Sequence, residues 1–252
     1  MSASHEGPVA PGFSSSYRVR FDECGPDGLV RASSLLRYTQ DVAWLHSEGL
    51  GFDRDWYANR GIGWLVRAAE VVVEAPIPMG ASLELVTRVV GHRKVWARRR
   101  TEAFRDGSRV AWTHTDWVLI DGRGIPARIP PVFDQAFPNP VADFPIGRVD
   151  LGAGSEARSE PGIEPERRTF HVRPHELDPN DHVNNAVFVD WLEEAIGREV
   201  LRRVPRRYRI EYAAPAAPDD ELSAETWSVP DGWLHRLRRA GGGELVRAHL
   251  SA

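Results

Sequence analysis

The sequence predicts an α+β protein made of two similar halves, each a helix packed on an antiparallel sheet. Two observations carry that expectation, an internal repeat and a run of strand signals behind each copy of it. Residues 17–43 read YRVRFDECGPDGLVRASSLLRYTQDVA, and residues 170–196 read FHVRPHELDPNDHVNNAVFVDWLEEAI. They align without a gap at the offset 178 − 25 = 153, which sets Tyr17 on Phe170, Arg20 on Arg173, Glu23 on Glu176 and Tyr38 on Trp191. A repeat found this way marks one structural unit used twice.

Each copy has an extended segment, a polar turn and an amphipathic helix, in that order. The first helix is expected over about 33–48, with Leu35, Leu36, Tyr38, Val42 and Leu45 on one apolar face and Gly49 as its stop. The second is expected over about 186–203, apolar at Val187, Phe188, Trp191, Leu192 and Ile196. Strand signals follow the first helix in IGWLVRAAEVVVEAP, ASLELVTRVVGHR, VWARRRTEAF and RVAWTHTDWVLID, with Asp106-Gly107 as a hairpin turn. After the second helix come YRIEYAAP, ELSAETWSV and WLHRLRRA, then GGGE turns into LVRAHLSA. Setting Pro76 on Pro215 also sets Leu83 on Leu222, so the strands repeat as well as the helices. Residues 1–14 are expected as a disordered tail, 15–135 as the first half, 136–167 as a connection rich in Pro and Gly and mobile near 152–165, and 168–252 as the second half.

A net charge of −4 argues against general affinity for nucleic acid. No apolar run approaches the roughly 20 residues of a membrane span. The first residues, MSASHEGPVAPGFSSSY, show neither a secretory nor an organelle-import pattern, so a cytoplasmic location is expected. Cys24 is the sole cysteine, which excludes a disulfide framework and a cysteine-based metal cluster.

The stretch HVRPHELDPNDHVNN places Asp178, Asn180 and His182 at two-residue steps just ahead of the second helix. By themselves these residues read as a turn and a helix cap. With LLRYTQDVAWLHSEGLGF, GIGWLVRAAEVVVEAPIPMGASLEL, RRRTEAFRDGSRVAWTHTDWVLID and LDPNDHVNNAVFVDWLEE taken together, the chain resembles the acyl-acyl carrier protein thioesterases of plant plastids and their bacterial relatives. Those are tandem hot-dog proteins, so the resemblance implies that each half is a long central helix wrapped by a curved antiparallel sheet. It also implies hydrolysis of an acyl-carrier-protein or coenzyme A thioester to a free fatty or polyketide acid.

Carried over residue by residue, the resemblance makes Asp178, Asn180 and His182 the catalytic loop, and Glu194 the matching helix glutamate. Hydrolysis needs an activated water, a stabiliser for the oxyanion and a proton carrier. Asp178 would hold the water, Asn180 would orient it or the carbonyl, and His182 would relay the proton. The plant proteins carry an acid and a cysteine on the next strand, and those positions fall here on Pro215 and Ala216, which leaves Glu194 as the acid, with Glu193 and Glu211 behind it. In the first copy Gly25, Asp27 and Leu29 stand in place of the loop triad, so one active site per chain is expected, with the first half building the acyl pocket.

Trp64 is the candidate for lining that pocket, and Asn184 and Asn185 either cap the helix or touch substrate. His46, His171 and His175 are assigned no chemistry. Arg98 and Arg100, in the basic run HRKVWARRR, belong either to a solvated strand face or to a docking strip for an acidic carrier protein. No metal and no cofactor are expected, and the assembly is expected to be a monomer or homodimer. A hot-dog hydratase or dehydratase and a non-catalytic acyl-binding protein are the competing functions.

Overall fold

A computed structural model describes residues 12–137, 147–151 and 164–252. In chain order its elements are β1 (Phe13–Arg18), α1 (Ala32–Gly49), α2 (Arg54–Ala58), β2 (Ile62–Val73), β3 (Ser82–Arg93), β4 (Trp96–Arg105), β5 (Ser108–Asp121) and α3 (Val132–Ala136). The second half supplies β6 (Glu166–His171), α4 (Val187–Glu194), α5 (Arg198–Leu201), β7 (Arg206–Tyr212), β8 (Glu221–Val229), β9 (Gly232–Arg239) and β10 (Glu244–Ser251). Residues 1–11, 138–146 and 152–163, on which most of the expected tail and connection fall, lie outside the described residues. β1 begins at Phe13, inside the stretch expected as tail.

Among the described residues, ten strands form one antiparallel sheet in the order β1-β3-β4-β5-β2-β7-β10-β9-β8-β6. Read inward from either edge the order is the same, so each repeat contributes five strands and the halves join where β2 pairs with β7. The repeat persists down to individual hydrogen bonds. The Gly25 amide donates to the Leu29 carbonyl at 2.8 Å, and the equivalent Asp178 amide to His182 at 2.8 Å. Val30 donates to Ile77 and Val183 to Ala216, both at 2.9 Å. In each copy a glutamate, Glu23 or Glu176, accepts from the amide three residues earlier at 2.7 Å. Arg37 and Asp190 are themselves equivalent positions (190 − 37 = 153), and they form an ion pair at 3.0 Å between α1 and α4. A pair of this kind lies at the pseudo-two-fold axis, where a symmetric dimer would put two copies of one residue together.

α1 packs on β1, β2, β3 and α4. It buries Leu35, Leu36, Tyr38 and Val42, as its 3.6-residue periodicity requires. Leu36 is fully buried, so truncating it to Ala would cost about 2–5 kcal/mol. The second helix departs from the expected 186–203. α4 ends at Glu194, and Gly197 is extended (φ −60°, ψ 140°) before the single turn of α5. A glycine that lacks a Cβ and carries the poorest helix propensity after proline is the local reason for the break. The core around α4 is filled by Phe170, Phe188, Trp191, Tyr208 and Tyr212, and it continues across the sheet to Ala32, Leu36 and Val71 of the first half.

Candidate functional site

The loop between Glu176 and α4 is a tight hairpin. Leu177 and Val183 form an isolated antiparallel bridge, Asp178 donates its amide to His182, and Asp181 donates to Asp178 at 3.0 Å. The turn closes with Asp181 at φ 59°, the left-handed region that Asp tolerates better than most residues. The carboxylate of Asp178 accepts the Asn180 amide at 2.8 Å through Oδ1. One carboxylate oxygen thus stiffens the turn, and Oδ2 has no hydrogen-bond partner among the described residues. Asp178, Asn180 and His182 therefore share one five-residue turn, with Asn180 exposed and the other two half-buried.

The loop is tied to the other half of the chain. Asn184 accepts the Ala186 amide on Oδ1 at 2.9 Å, which fixes the turn leading into α4, and its Nδ2 donates to Gln40 of α1 at 3.3 Å. Asn185 uses its carbonyl to accept from the Tyr212 hydroxyl at 3.0 Å. Val183 is anchored by the Ala216 carbonyl, so Ala216 supplies backbone support to the loop.

A cavity of about 790 Å³ opens beside this loop. Its walls come from the first half: Ala43, Trp44 and Ser47 of α1, Tyr57 of α2, Trp64 of β2, Ala97 and Arg99 of β4, and Phe133 of α3. Among the described residues, the second half contributes only Pro179 and Asn180 to its lining. Trp44, Glu48, Arg54 and Asn180 are exposed and mark the mouth, whereas Val89, His92, Arg99, Phe133 and Phe137 are buried and mark the floor. Trp64 lines the wall, where its Nε1 donates to the Tyr57 hydroxyl at 3.2 Å and that hydroxyl meets Ser47 Oγ at 3.1 Å.

Other expected residues are not brought to the loop. Glu194 is exposed at the far end of α4, about 10 Å along the helix from Val187 at 1.5 Å per residue. Glu211 lies on the opposite face of β7, where it accepts the Val149 amide at 3.2 Å and faces Arg67. Glu193 packs on Tyr208, whose hydroxyl donates to it at 2.5 Å, and burial pushes its carboxyl up to about 7. Arg31, one of the charges acting on Glu193, is the equivalent of Asn184, just as Glu193 is the equivalent of Gln40. Glu193 therefore occupies the counterpart of the Gln40–Asn184 corner, beside the copy that carries Gly25, Asp27 and Leu29.

Strand alternation divides the basic run on β4. Arg98 and Arg100 point to the outer face of the sheet, Arg98 bidentate to the buried Asp116 at 2.6 and 2.8 Å, and Arg100 to Glu102 at 3.0 Å and over Trp112. Arg99 points inward, where its Nη1 meets His46 Nδ1 at 2.9 Å and Thr87 Oγ1 at 3.3 Å. Neither Arg99 nor His46 is assigned chemistry from the sequence, yet they meet on this inner face. The period-two signal that would have found Arg99 is the alternation of Ala97, Arg99, Thr101 and Ala103 with Arg98, Arg100 and Glu102. Among the described residues no cluster of three or more His, Cys, Asp or Glu side chains could hold a metal, and no helix is long and apolar enough to cross a membrane.

Two five-stranded halves joined edge to edge about a pseudo-two-fold, with a helix from each meeting at the axis, define a tandem hot-dog protein. The acyl-ACP thioesterase N-terminal domain matches residues 11–132, and the acyl-ACP thioesterase C-terminal domain matches residues 159–249. The chain belongs to the acyl-ACP thioesterase family. It is 24% identical over 252 residues to the chloroplastic acyl-(acyl-carrier-protein) hydrolase FATB2 of Cuphea viscosissima, covering 93% of this chain and 61% of that protein's length. Among solved structures it resembles the 12:0-ACP thioesterase of Umbellularia californica, with a TM-score of 0.79, 21% identity, and coverage of 97% of this chain and 98% of that one. An acyl-ACP thioesterase of Bacteroides thetaiotaomicron superposes with the same TM-score at 15% identity, covering 95% and 97%.

Proposed function

We propose that the protein is a thioester hydrolase that releases a fatty or polyketide acyl chain from acyl carrier protein or coenzyme A. The observation that carries this reading is the crossing of the halves: Pro179 and Asn180, from the Asp178–His182 turn of the second half, line a cavity otherwise walled by the first. Family membership and the names of the relatives support the substrate class. The reading takes each half as a hot-dog unit, a helix wrapped by its own strands, and the palindromic strand order supports it.

In the proposed mechanism the acyl chain enters the cavity and its carbonyl rests at Asn180. Asp178 holds a water through the oxygen not used by the Asn180 amide, and takes a proton as that water adds to the carbonyl carbon. The oxyanion develops near the N-terminal end of α4, where the helix dipole and the Asn180 side-chain amide favour negative charge. Collapse of the tetrahedral adduct breaks the C–S bond, and His182 relays the proton taken by Asp178 to the departing thiolate, which returns both side chains to their starting states. The acid and the free thiol are the products. Arg98 and Arg100 remain proposed contacts for an acidic carrier, although both are already engaged with acidic residues of the sheet.

The test is thiol release from a panel of acyl-carrier and acyl-coenzyme A thioesters of short to long chain, run beside Asp178→Ala and His182→Ala. Turnover by the wild type, lost in both variants, is the expected result. No turnover across the panel would sink the hydrolase reading, and unchanged turnover in both variants would move the chemistry elsewhere.

A further inference from the structure

We propose that the cavity floor is a receptor for a carboxylate at the far end of the acyl chain, with Arg99 as the group that pairs it, so that thioesters of medium-length dicarboxylic acids are substrates. This rests on the thioesterase reading of the cavity mouth.

The floor of this cavity is unlike that of a plain hydrocarbon pocket. Arg99 is 8% exposed and lines the cavity, and among the described residues no carboxylate lies within ion-pair distance of it. Its neighbours on the same strand, Arg98 and Arg100, each have an acidic partner. The two hydrogen-bond partners of Arg99, His46 Nδ1 and Thr87 Oγ1, both meet Nη1. Nε and Nη2 have no acceptor among the described residues.

His46 is not a counter-ion. Burial and the adjacent guanidinium hold its pKa down at about 4, so the ring is neutral and accepts through Nδ1. Burial lowers Arg99 to about 10, which leaves it cationic at neutral pH. A buried cation without an anion is costly, and a guanidinium with two free N–H groups on one edge matches a carboxylate.

The geometry sets a length. Gln40, bonded to Asn184, marks the catalytic end of α1, and His46, bonded to Arg99, lies six residues further on. That is roughly 9 Å along the axis at 1.5 Å per residue. An all-aliphatic chain reaching the floor would strip water from Arg99 and offer nothing in return. A chain ending in a carboxylate would keep the apolar contacts with Val89 and Phe133 and supply the missing anion.

Kcat/KM is measured with suberyl-coenzyme A and octanoyl-coenzyme A, which share a backbone length and differ at the distal end. The wild type is expected to prefer the suberyl ester by about tenfold or more, as a charge-assisted pair implies. Arg99→Met should bring that ratio to or below one, and Arg99→Lys, which keeps charge but not the fork, should fall between. A wild-type preference for octanoyl, or a ratio unmoved by Arg99→Met, overturns the proposal while leaving the hydrolase reading intact. Calorimetric binding of free suberate and octanoate to the wild type and Arg99→Met reads the receptor without catalysis. Tighter suberate binding that depends on Arg99 supports the receptor even in a protein that hydrolyses nothing, and equal binding of the two acids overturns it.

Discussion

Glu193 offers a quantitative check on which corner of the pseudo-symmetric pair is active. Its carboxyl accepts the Tyr208 hydroxyl at 2.5 Å. Burial raises its pKa to about 7, against the smaller opposing effects of that hydrogen bond and of Arg206. The folded pKa lies above the unfolded value of 4.5, so the folded state binds the proton more tightly. Below about pH 4 both states are protonated and the group is neutral towards stability. As pH rises, the unfolded chain ionises first, so stability falls between about pH 4.5 and pH 7 and then levels off. At 1.36 kcal/mol per tenfold in proton affinity, the shift is worth about 3 kcal/mol at most.

Glu193→Gln keeps the acceptor for Tyr208 and never ionises. Its stability should match the wild type near about pH 4 and exceed it by about 2–3 kcal/mol near about pH 8. Urea denaturation at both pH values measures the difference. Because Glu193 sits at the counterpart corner, kcat/KM should stay within about twofold, an energy difference under about 0.5 kcal/mol. A stability difference that does not change with pH would refute the burial argument. A collapse of kcat would make Glu193 the missing acid and refute the assignment of corners.

Asp178→Asn keeps an Oδ1 acceptor for the Asn180 amide and removes only the charge, so the fold should hold while kcat drops by about 10²–10⁴-fold in the thiol-release assay. Asn184→Ala loses both the acceptor for the Ala186 amide and the tie to Gln40, and should lower the unfolding free energy by about 1–2 kcal/mol in urea. Arg98→Glu leaves the buried Asp116 facing another acid and should destabilise by about 3–5 kcal/mol, so carrier docking is better read from Arg100→Glu. That variant should raise the KM for carrier-bound substrate alone, and an equal rise for coenzyme A thioesters would dispose of docking. Trp64→Ala should shift the preference towards longer or bulkier acyl chains by widening the wall beside Tyr57.

Much of the fold was legible because it rests on local patterns. The 153-residue offset foresaw a duplicated unit, and Asp106-Gly107, both at positive φ, made the expected hairpin between β4 and β5. The second helix was read too long because its apolar pattern continues to Ile196, while the extended backbone at Gly197 carries no periodic signal. The Asp178–His182 turn was visible as a string, but its place at the mouth of the other half's cavity depends on the Asn184–Gln40 and Arg37–Asp190 contacts, far apart in sequence. Arg99 was hidden among like residues, since composition cannot say which of three consecutive arginines faces inward.

The central claim is that the second-half turn acts on a chain held by the first half. A co-crystal structure with a non-hydrolysable thioether analogue of an acyl-pantetheine tests it directly. The account predicts the acyl chain in the cavity between α1 and β4, with the thioether end within hydrogen-bond reach of Asn180. An acyl chain lying along α4 in the second half, or reaching the cavity with its head away from Asp178 and Asn180, would contradict it.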